Sequence, residues 1–381
     1  MDLVAGRALA QERRPIRHLD PVLLLTAIAL IGVGLLLIYS ATHQTLEADG
    51  LDPYARVKKQ LVSAAIGAVL VVVISSIDYR FFKVYAGFIF GASLVLLGLL
   101  QIPGVASSSG PGATIDLPGA DLLQINPPEF AKIGLIVILA ASLSELRSTP
   151  DVRDVVRLVL VAATAMLLVF INIEIGSVIV LVAITVGELV VAGTRPRHLA
   201  VLAATALVAL LLAFQTGAIR DYQFDRIRAF LDPQNAPESV RYNLDQSLIA
   251  IGSGGLTGRG YLTGTQTNLD YVPEQHTDFI FTVVGEEFGF VGAVVVLALF
   301  GVLLFRAFRI AYLSRDPFGS YLAAGVASMF AIQVFVNVGM TIGIMPITGI
   351  PLPFLSFGGS AMLVNCIAVG LLLNVHMRRF T

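Results

Sequence analysis

Apolar stretches of roughly 20 residues, the length that crosses ~30 Å of hydrocarbon, recur along this 381-residue chain and limit what it can become. They fall near 21–41, 61–77, 84–101, 130–144, 155–171, 175–192, 199–217, 279–305, 320–342 and 355–375. Inside a bilayer a backbone must satisfy its own hydrogen bonds, which leaves helices or closed barrels, and runs of this length favour helices. Charge supports the same class: 13% of residues are charged and 56% are hydrophobic, against about 25% charged in an average globular domain. The expected fold class is all-α, a polytopic membrane protein of about ten transmembrane helices. The short links at 172–174 and 193–197 imply antiparallel neighbours.

Arginines at positions 7, 13, 14 and 17 precede the first apolar run. That run is longer than the 7–15-residue core of a signal peptide, and many more spans follow it. It reads as a retained first helix. Placing the N-terminus in the cytoplasm assigns sixteen of the 25 lysines and arginines to inner segments and eight to outer ones, with Lys132 left inside a span. Short cytoplasmic loops carry such an excess, so both termini are expected inside. The domain reading is a cytoplasmic tail over 1–20 and a single membrane domain over 21–381. Between helices seven and eight that domain carries a long extracytoplasmic loop, 218–278.

Some classes of function drop out. A net charge of −1 without a long basic tract gives no reason to expect nucleic acid. One cysteine, Cys366, excludes an internal disulfide and a multi-cysteine metal site. No internal repeat is evident, which weakens an inverted-repeat transporter.

The stretch 241–292 breaks the apolar monotony. It is polar and glycine-rich until Asp278, after which Phe279-Ile280-Phe281 begins. A carboxylate at that switch sits at a water–lipid boundary, within reach of an amphiphilic substrate. Ionisable groups in or beside spans are candidates by default. Glu129 and Lys132, three apart after Pro127 and Pro128, share one helix face and read equally well as a site or as a neutralising ion pair. Glu286 and Glu287 read first as interhelical hydrogen-bonding groups, with Glu174 and Glu188 as weaker candidates. The run 252–260, with five glycines around Arg259, fits neither phosphate-loop spacing. It suits backbone approach to a phosphate or, more plainly, a set of tight turns. His276 has no partner at metal-ligand spacing.

Longer motifs carry a family resemblance. They are Gly252-Ser253-Gly254-Gly255-Leu256, Gly264-Thr265-Gln266, Pro273-Glu274-Gln275-His276-Thr277-Asp278-Phe279, Gly285-Glu286-Glu287-Phe288-Gly289 and the run from Thr348 through Pro351, Pro353 and Ser356 to Ser360. With Arg226-Ile227, Phe230-Leu231-Asp232-Pro233 and Gln246-Ser247, they resemble the SEDS family (shape, elongation, division, sporulation) over nearly the whole chain. Gly264-Thr265-Gln266-Thr267 looks more like the elongation branch, RodA, than the division branch, FtsW.

The resemblance implies a peptidoglycan glycosyltransferase of bacterial cell elongation and shape. It would polymerise lipid II into β-1,4 glycan strands at the outer face of the cytoplasmic membrane, beside a class B penicillin-binding protein. The family's catalytic carboxylate falls on Asp278. Its Pro-Ser-Glu…Lys motif falls on Pro127, Glu129 and Lys132, with Pro128 in place of serine, and its Pro-Asp-Leu-Gly motif becomes Ile173-Glu174-Ile175-Gly176. Substrate contacts are expected from Glu129, Lys132, Glu174 and Thr277, and from Arg241, Gln246, Ser247 and Arg259. An Arg-Trp-Ile run is expected after Gly112-Ala113, but Thr114-Ile115-Asp116 stands there and the chain has no tryptophan. A divalent cation would suit the pyrophosphate as Lewis acid, although no ligand cluster in the sequence demands one. The rival readings are a lipid II flippase and a non-catalytic scaffold for the penicillin-binding protein.

Overall fold

A computed structural model of the protein describes residues 18–102, 114–116, 124–146, 148–172, 174–215, 226, 230, 232, 237–269 and 271–379. The chain opens with α1 (Pro21–Ala48) and α2 (Ala55–Ser76), then the short α3 (Tyr79–Val84) and α4 (Ala86–Leu99). A two-residue antiparallel pair, β1 (Ile115–Asp116) with β2 (Gln124–Ile125), leads into α5 (Pro127–Ser144). Next come α6 (Val152–Ile171), α7 (Ile175–Val191) and α8 (Pro196–Gln215). Helices α9 (Glu238–Gly254) and α10 (Thr265–Asn268) precede the long α11 (Ile280–Leu313), α12 (Pro317–Thr341) and α13 (Gly359–Arg378).

Ten of these helices coincide one for one with the ten apolar runs. Seven are long and apolar enough to cross a membrane, α4 and α7 are shorter apolar helices, and α8 completes the set. Several overrun the hydrocarbon length, with α1 extending to Ala48 and α11 to Leu313. The bundle is built around α13, α5 and α12, whose most apolar windows are 89%, 78% and 78% buried. Helices α1, α2, α6 and α11 turn much of their surface outward.

One end of the bundle is defined by charge pairing. Asp20, which caps α1, accepts hydrogen bonds from Arg306 near the end of α11 and lies 4.0 Å from His376 on α13. Arg378 donates to the carbonyls of Ser75 and Ser76 at the end of α2. The first and last described segments therefore share one end, as an even number of crossings requires. The starts of α2, α5, α7, α11 and α13 lie at the other end.

The expected long loop contains regular structure. Helix α9 is amphipathic and packs on α11, approaching so closely that a Cβ on Gly254 would fall 1.9 Å from the Gly285 carbonyl oxygen. The glycine-rich run beyond it is spliced into α11. At Gly289 (φ 63°, ψ −159°) the helix breaks, and its hydrogen bonds are exchanged with the loop. Arg259 and Gly260 donate to the carbonyls of Glu286 and Glu287, while the N–H groups of Phe290 and Val291 donate to Gly255 and Leu256. Four backbone groups that the break would orphan inside an apolar helix are thereby paired, each worth about 1–3 kcal/mol if left buried and unmade. Of the two readings of this glycine run, the set of tight turns is the one the structure bears out, with positive φ at Gly255 (55°), Gly258 (81°) and Gly260 (105°).

Gly289 occupies a region of φ/ψ that is essentially closed to other residues, and a Cβ there would stand 2.3 Å from the Gly258 nitrogen. Gly289→Ala should lower the thermal midpoint in detergent, measured by scanning fluorimetry. Gly301→Ala, with nothing within 4 Å of its Cβ position, should leave it unchanged. Equal midpoints for the two variants would refute the splice as a source of stability.

Candidate active site

A cavity of about 620 Å³ opens among the starts of α2, α5, α7 and α13, the turn before α11 and the irregular 346–358 segment. Asp278, Glu129, Lys132, Glu174 and Thr277 all line it. Expected near one membrane edge, these five are brought by the fold to one wall.

Each is held by local structure with a chemical cause. Pro127 and Pro128 open α5, where a missing N–H costs nothing. One turn in, Lys132 Nζ donates to Glu129 Oε1 at 2.5 Å, both side chains buried. Glu129 Oε2 is left buried with no partner in the protein among the described residues. Glu174 stands at the start of α7 and accepts from Ser177 Oγ (3.0 Å) and Asn126 Nδ2 (3.4 Å). Burial, then the Glu129 charge, push its carboxyl above the usual range, against the pull of Lys132 and the two hydrogen bonds.

Asp278 ends a tight turn in which the N–H groups of Thr277, Asp278 and Phe279 all point at the Glu274 carbonyl. Glu274 adopts φ 53°, an uncommon left-handed conformation for a residue with a side chain. Thr277 Oγ1 lies 3.0 Å from the Glu274 carbonyl oxygen and 3.1 Å from its carboxylate. Burial raises the Asp278 carboxyl to about 6, with Glu274 and Glu174 adding to the rise and Arg226 opposing it. Within the same turn, burial and then Arg56 push His276 down to about 4.

Four expected substrate contacts are not among the residues lining the cavity. Arg241 is exposed on α9 and pairs with Asp245 at 3.1 Å. Gln246 is half-buried on the same helix, and Ser247 is buried with its hydroxyl donating to the Thr341 carbonyl at 2.8 Å. Arg259 is spent on the splice, its Nη1 donating to Thr265 Oγ1 at 2.7 Å. An arginine or glutamine in a polar loop carries no sign of which way it faces, so helix packing decided these four.

Other lining residues escaped the sequence reading. Lys59 lies one turn into α2, where a charge beside an apolar run deserved the same weight as Lys132. Arg226 and Glu274 also line the cavity, as do Gly349 and its neighbours. Glu286 serves the loop instead, and Glu287 both the loop and, as the interhelical reading expected, a bond to α1. Glu286 accepts from the N–H groups of Gln266 (2.8 Å) and Thr267 (2.9 Å) at the start of α10, and Glu287 from Ser40 and the Leu262 N–H. Glu188 is fully buried on α7, away from the cavity lining. Among the described residues no three His, Cys, Asp or Glu side chains are grouped as a metal-ligand set.

A helical membrane bundle with a polar, carboxylate-lined cavity at one end is the class these features define. The family model described as "Cell cycle protein", FtsW/RodA/SpoVE, matches residues 21–380, and the chain belongs to that family. It is 37% identical over 374 residues to a probable peptidoglycan glycosyltransferase FtsW of Trichlorobacter lovleyi, covering 95% of each chain. It is 34% identical over 365 residues to the peptidoglycan glycosyltransferase MrdB of Escherichia coli K12, covering 95% of this chain and 94% of the other. A solved chain described under "Structural coordination of polymerization and crosslinking by a peptidoglycan synthase complex" superposes with a TM-score of 0.79 at 29% identity, over 95% of this chain and 98% of that one. The RodA-like branch read from Gly264–Thr267 finds no support in the FtsW name. A four-residue run is too short to separate the branches, and the chain is similar to members of both.

The raised Asp278 carboxyl has a measurable consequence. A hydrophobic carbodiimide reacts with the protonated acid, so Asp278 labelling, read by peptide mass spectrometry, should fall with pH through a midpoint near 6. Arg226→Gln removes the cation that favours ionisation, so the midpoint should move to higher pH. A downward shift would contradict this electrostatic assignment.

Proposed function

We propose that this protein is a peptidoglycan glycosyltransferase that joins lipid II units into β-1,4 glycan strands, with Asp278 as general base. The observation that carries this reading is the Asp278 carboxylate, half-buried in a cavity at the membrane edge beside Arg226, Glu174 and the Glu129–Lys132 pair. Lipid II joins a disaccharide-pentapeptide to a polyprenyl pyrophosphate, so its reactive sugar carbon stays close to that edge.

Making a β bond from an α-linked pyrophosphate inverts the anomeric centre. The acceptor 4-oxygen attacks C1 and its proton passes to the Asp278 carboxylate. The C1–O bond to the pyrophosphate breaks, and the lipid pyrophosphate leaves with the electron pair. A carboxyl titrating near 6 is ionised at neutral pH yet more basic than an ordinary aspartate, which suits it to take that proton. The departing charge is stabilised by cations at the cavity wall. Lys59, Lys132 and Arg226 stand there, and they replace Arg241 and Arg259 in this role.

The arginine-rich end of the bundle lies opposite the cavity, so the positive-inside tendency favours the cavity on the outer face of the bacterial cytoplasmic membrane. A class B penicillin-binding protein, the transpeptidase that cross-links strands, is the expected partner. Supporting it, the structurally similar chain belongs to a peptidoglycan synthase complex that coordinates polymerization with crosslinking. The flippase and scaffold readings are the alternatives. A flippase needs polar groups along a path through the membrane depth, whereas here the titratable residues that line the cavity gather at one end. Depletion separates the cellular roles: filaments mark a division enzyme and rounded cells an elongation enzyme.

Asp278→Asn keeps shape and loses the base, so lipid II polymerisation by the purified complex, with the transpeptidase blocked by penicillin, should fall about 10²–10⁴-fold. A rate near wild type would remove the base assignment. Orientation is tested separately with single cysteines in a Cys366→Ser background. An impermeant thiol reagent outside spheroplasts should label a cysteine at Thr257 and spare one at Asp151. The reverse pattern would place the cavity on the cytoplasmic side.

A further inference from the structure

Asn337 lies in the last two turns of α12, fully buried, one turn beyond the equally buried Gln333. Its amide nitrogen donates to two backbone carbonyls at once, those of Asp278 (2.8 Å) and Ile350 (2.8 Å). Because both neighbours are acceptors, the amide has one allowed orientation; turned over, its oxygen would face two oxygens.

The two carbonyls belong to the two sides of the candidate active site. One is on the residue that bears the carboxylate. The turn's own backbone bonds run to Glu274 and from Thr282 to Phe279, and the Asp278 carbonyl is taken by Asn337. The other follows Gly349, whose left-handed φ of 73° brings the backbone against the carboxylate itself. A Cβ on Gly349 would lie 3.2 Å from Asp278 Oδ2 and 3.8 Å from Arg226 Nη1. A single buried side chain thus fastens the base-bearing turn to the backbone that roofs it.

We infer that Asn337 is the positioning residue of the transfer reaction, setting the distance between the Asp278 carboxylate and the Gly349 backbone. The inference rests on the reading of Asp278 as base. Neither segment is regular helix where they meet; one backbone bond, from the Phe357 N–H to the His276 carbonyl, joins them away from Asp278, and no ladder of such bonds fixes the spacing at Asp278 and Gly349. A displacement of about 1 Å at a reacting group costs on the order of 10²-fold in rate. Asn337 is not part of the cavity lining and acts through Asp278.

A double-mutant cycle separates positioning from general support. Wild type, Asn337→Leu, Asp278→Asn and the double variant are compared as complexes with the transpeptidase partner, with cross-linking blocked. Asn337→Leu should lower kcat by about 10–100-fold while KM for lipid II stays within about twofold, because the interaction is needed only for chemistry. Combined with Asp278→Asn it should cost nothing more, since residues that act as a unit are not additive. Losses that multiply in the double variant, or an Asn337→Leu enzyme above half the wild-type rate, would overturn the inference while leaving the base assignment standing. A near-wild-type Asp278→Asn enzyme would overturn both. If Asn337→Leu fails to fold by thermal melt, Asn337→Asp carries the same cycle. It keeps the shape, sets a carboxyl against the two carbonyls, and should lose kcat in the same way.

Discussion

An irregular backbone held at membrane depth is the constraint from which the rest of this structure follows. Between α12 and α13 the chain passes through 342–358 without helix, and much of that segment is buried among the spans. Irregular backbone at such depth is tolerated only where protein satisfies its polar groups or where it lines a cavity. Both conditions hold here. Asn337 takes the Ile350 carbonyl. Gln60, buried on α2, accepts from the Gly358 N–H (3.1 Å) and donates to the Ser356 carbonyl (3.2 Å). Ser356 Oγ accepts from the Leu352 N–H, and the Phe357 N–H reaches the His276 carbonyl. Buried amides in otherwise apolar helices, costly by themselves, are the partners this crossing requires.

The same device recurs at the break in α11, where loop backbone substitutes for the missing helical bonds. The two features share a consequence. The turn carrying Asp278 is pinned from one side by α12 and the 346–358 segment. On the other side, Glu286 holds Thr267, whose hydroxyl accepts from Gln275 Nε2 at 3.1 Å, three residues before Asp278. A site made from loops thereby acquires the rigidity usually found on regular elements.

The helices were legible because hydrocarbon thickness imposes a length that apolar runs display directly, as 175–192 against Ile175–Val191 illustrates. Helix α9 was legible in part: the mix of Tyr, Phe, Ile and Leu with arginines over 222–256 suits amphipathic pieces folded against the membrane, but its bounds and its docking on α11 were not. Glu129, Lys132, Glu174 and Asp278 were legible because charge beside hydrocarbon is expensive and so stands out. Arg241, Gln246, Ser247 and Arg259 lie in a segment where polar residues are ordinary, and nothing in their spacing says which of them faces a cavity. Asn337 was hidden for the opposite reason. A neutral amide in an apolar run gives a weak signal, and its importance lies in two carbonyls that are 59 residues earlier and 13 later in the chain.

The missing Arg-Trp pair has an electrostatic consequence. Thr114, standing where the family resemblance leads one to expect arginine, lines the cavity. The wall therefore has one cation fewer than expected to meet a pyrophosphate. Lys132 does not make up the deficit alone, since its ammonium is already 2.5 Å from the Glu129 carboxylate. In a medium of low dielectric such a pair is close to neutral when viewed from a few ångströms away. Lys59 and Arg226 are the other basic groups on the wall, and they come from elements on different sides of it, α2 and the segment before α9. Arg226 also moderates the Asp278 carboxyl, so in the proposed mechanism the cation that would meet the leaving group is coupled to the proposed base. Departure of the pyrophosphate would draw on the same charge that keeps Asp278 ionised. Under the proposed mechanism the two ends of the transfer would be linked through one guanidinium.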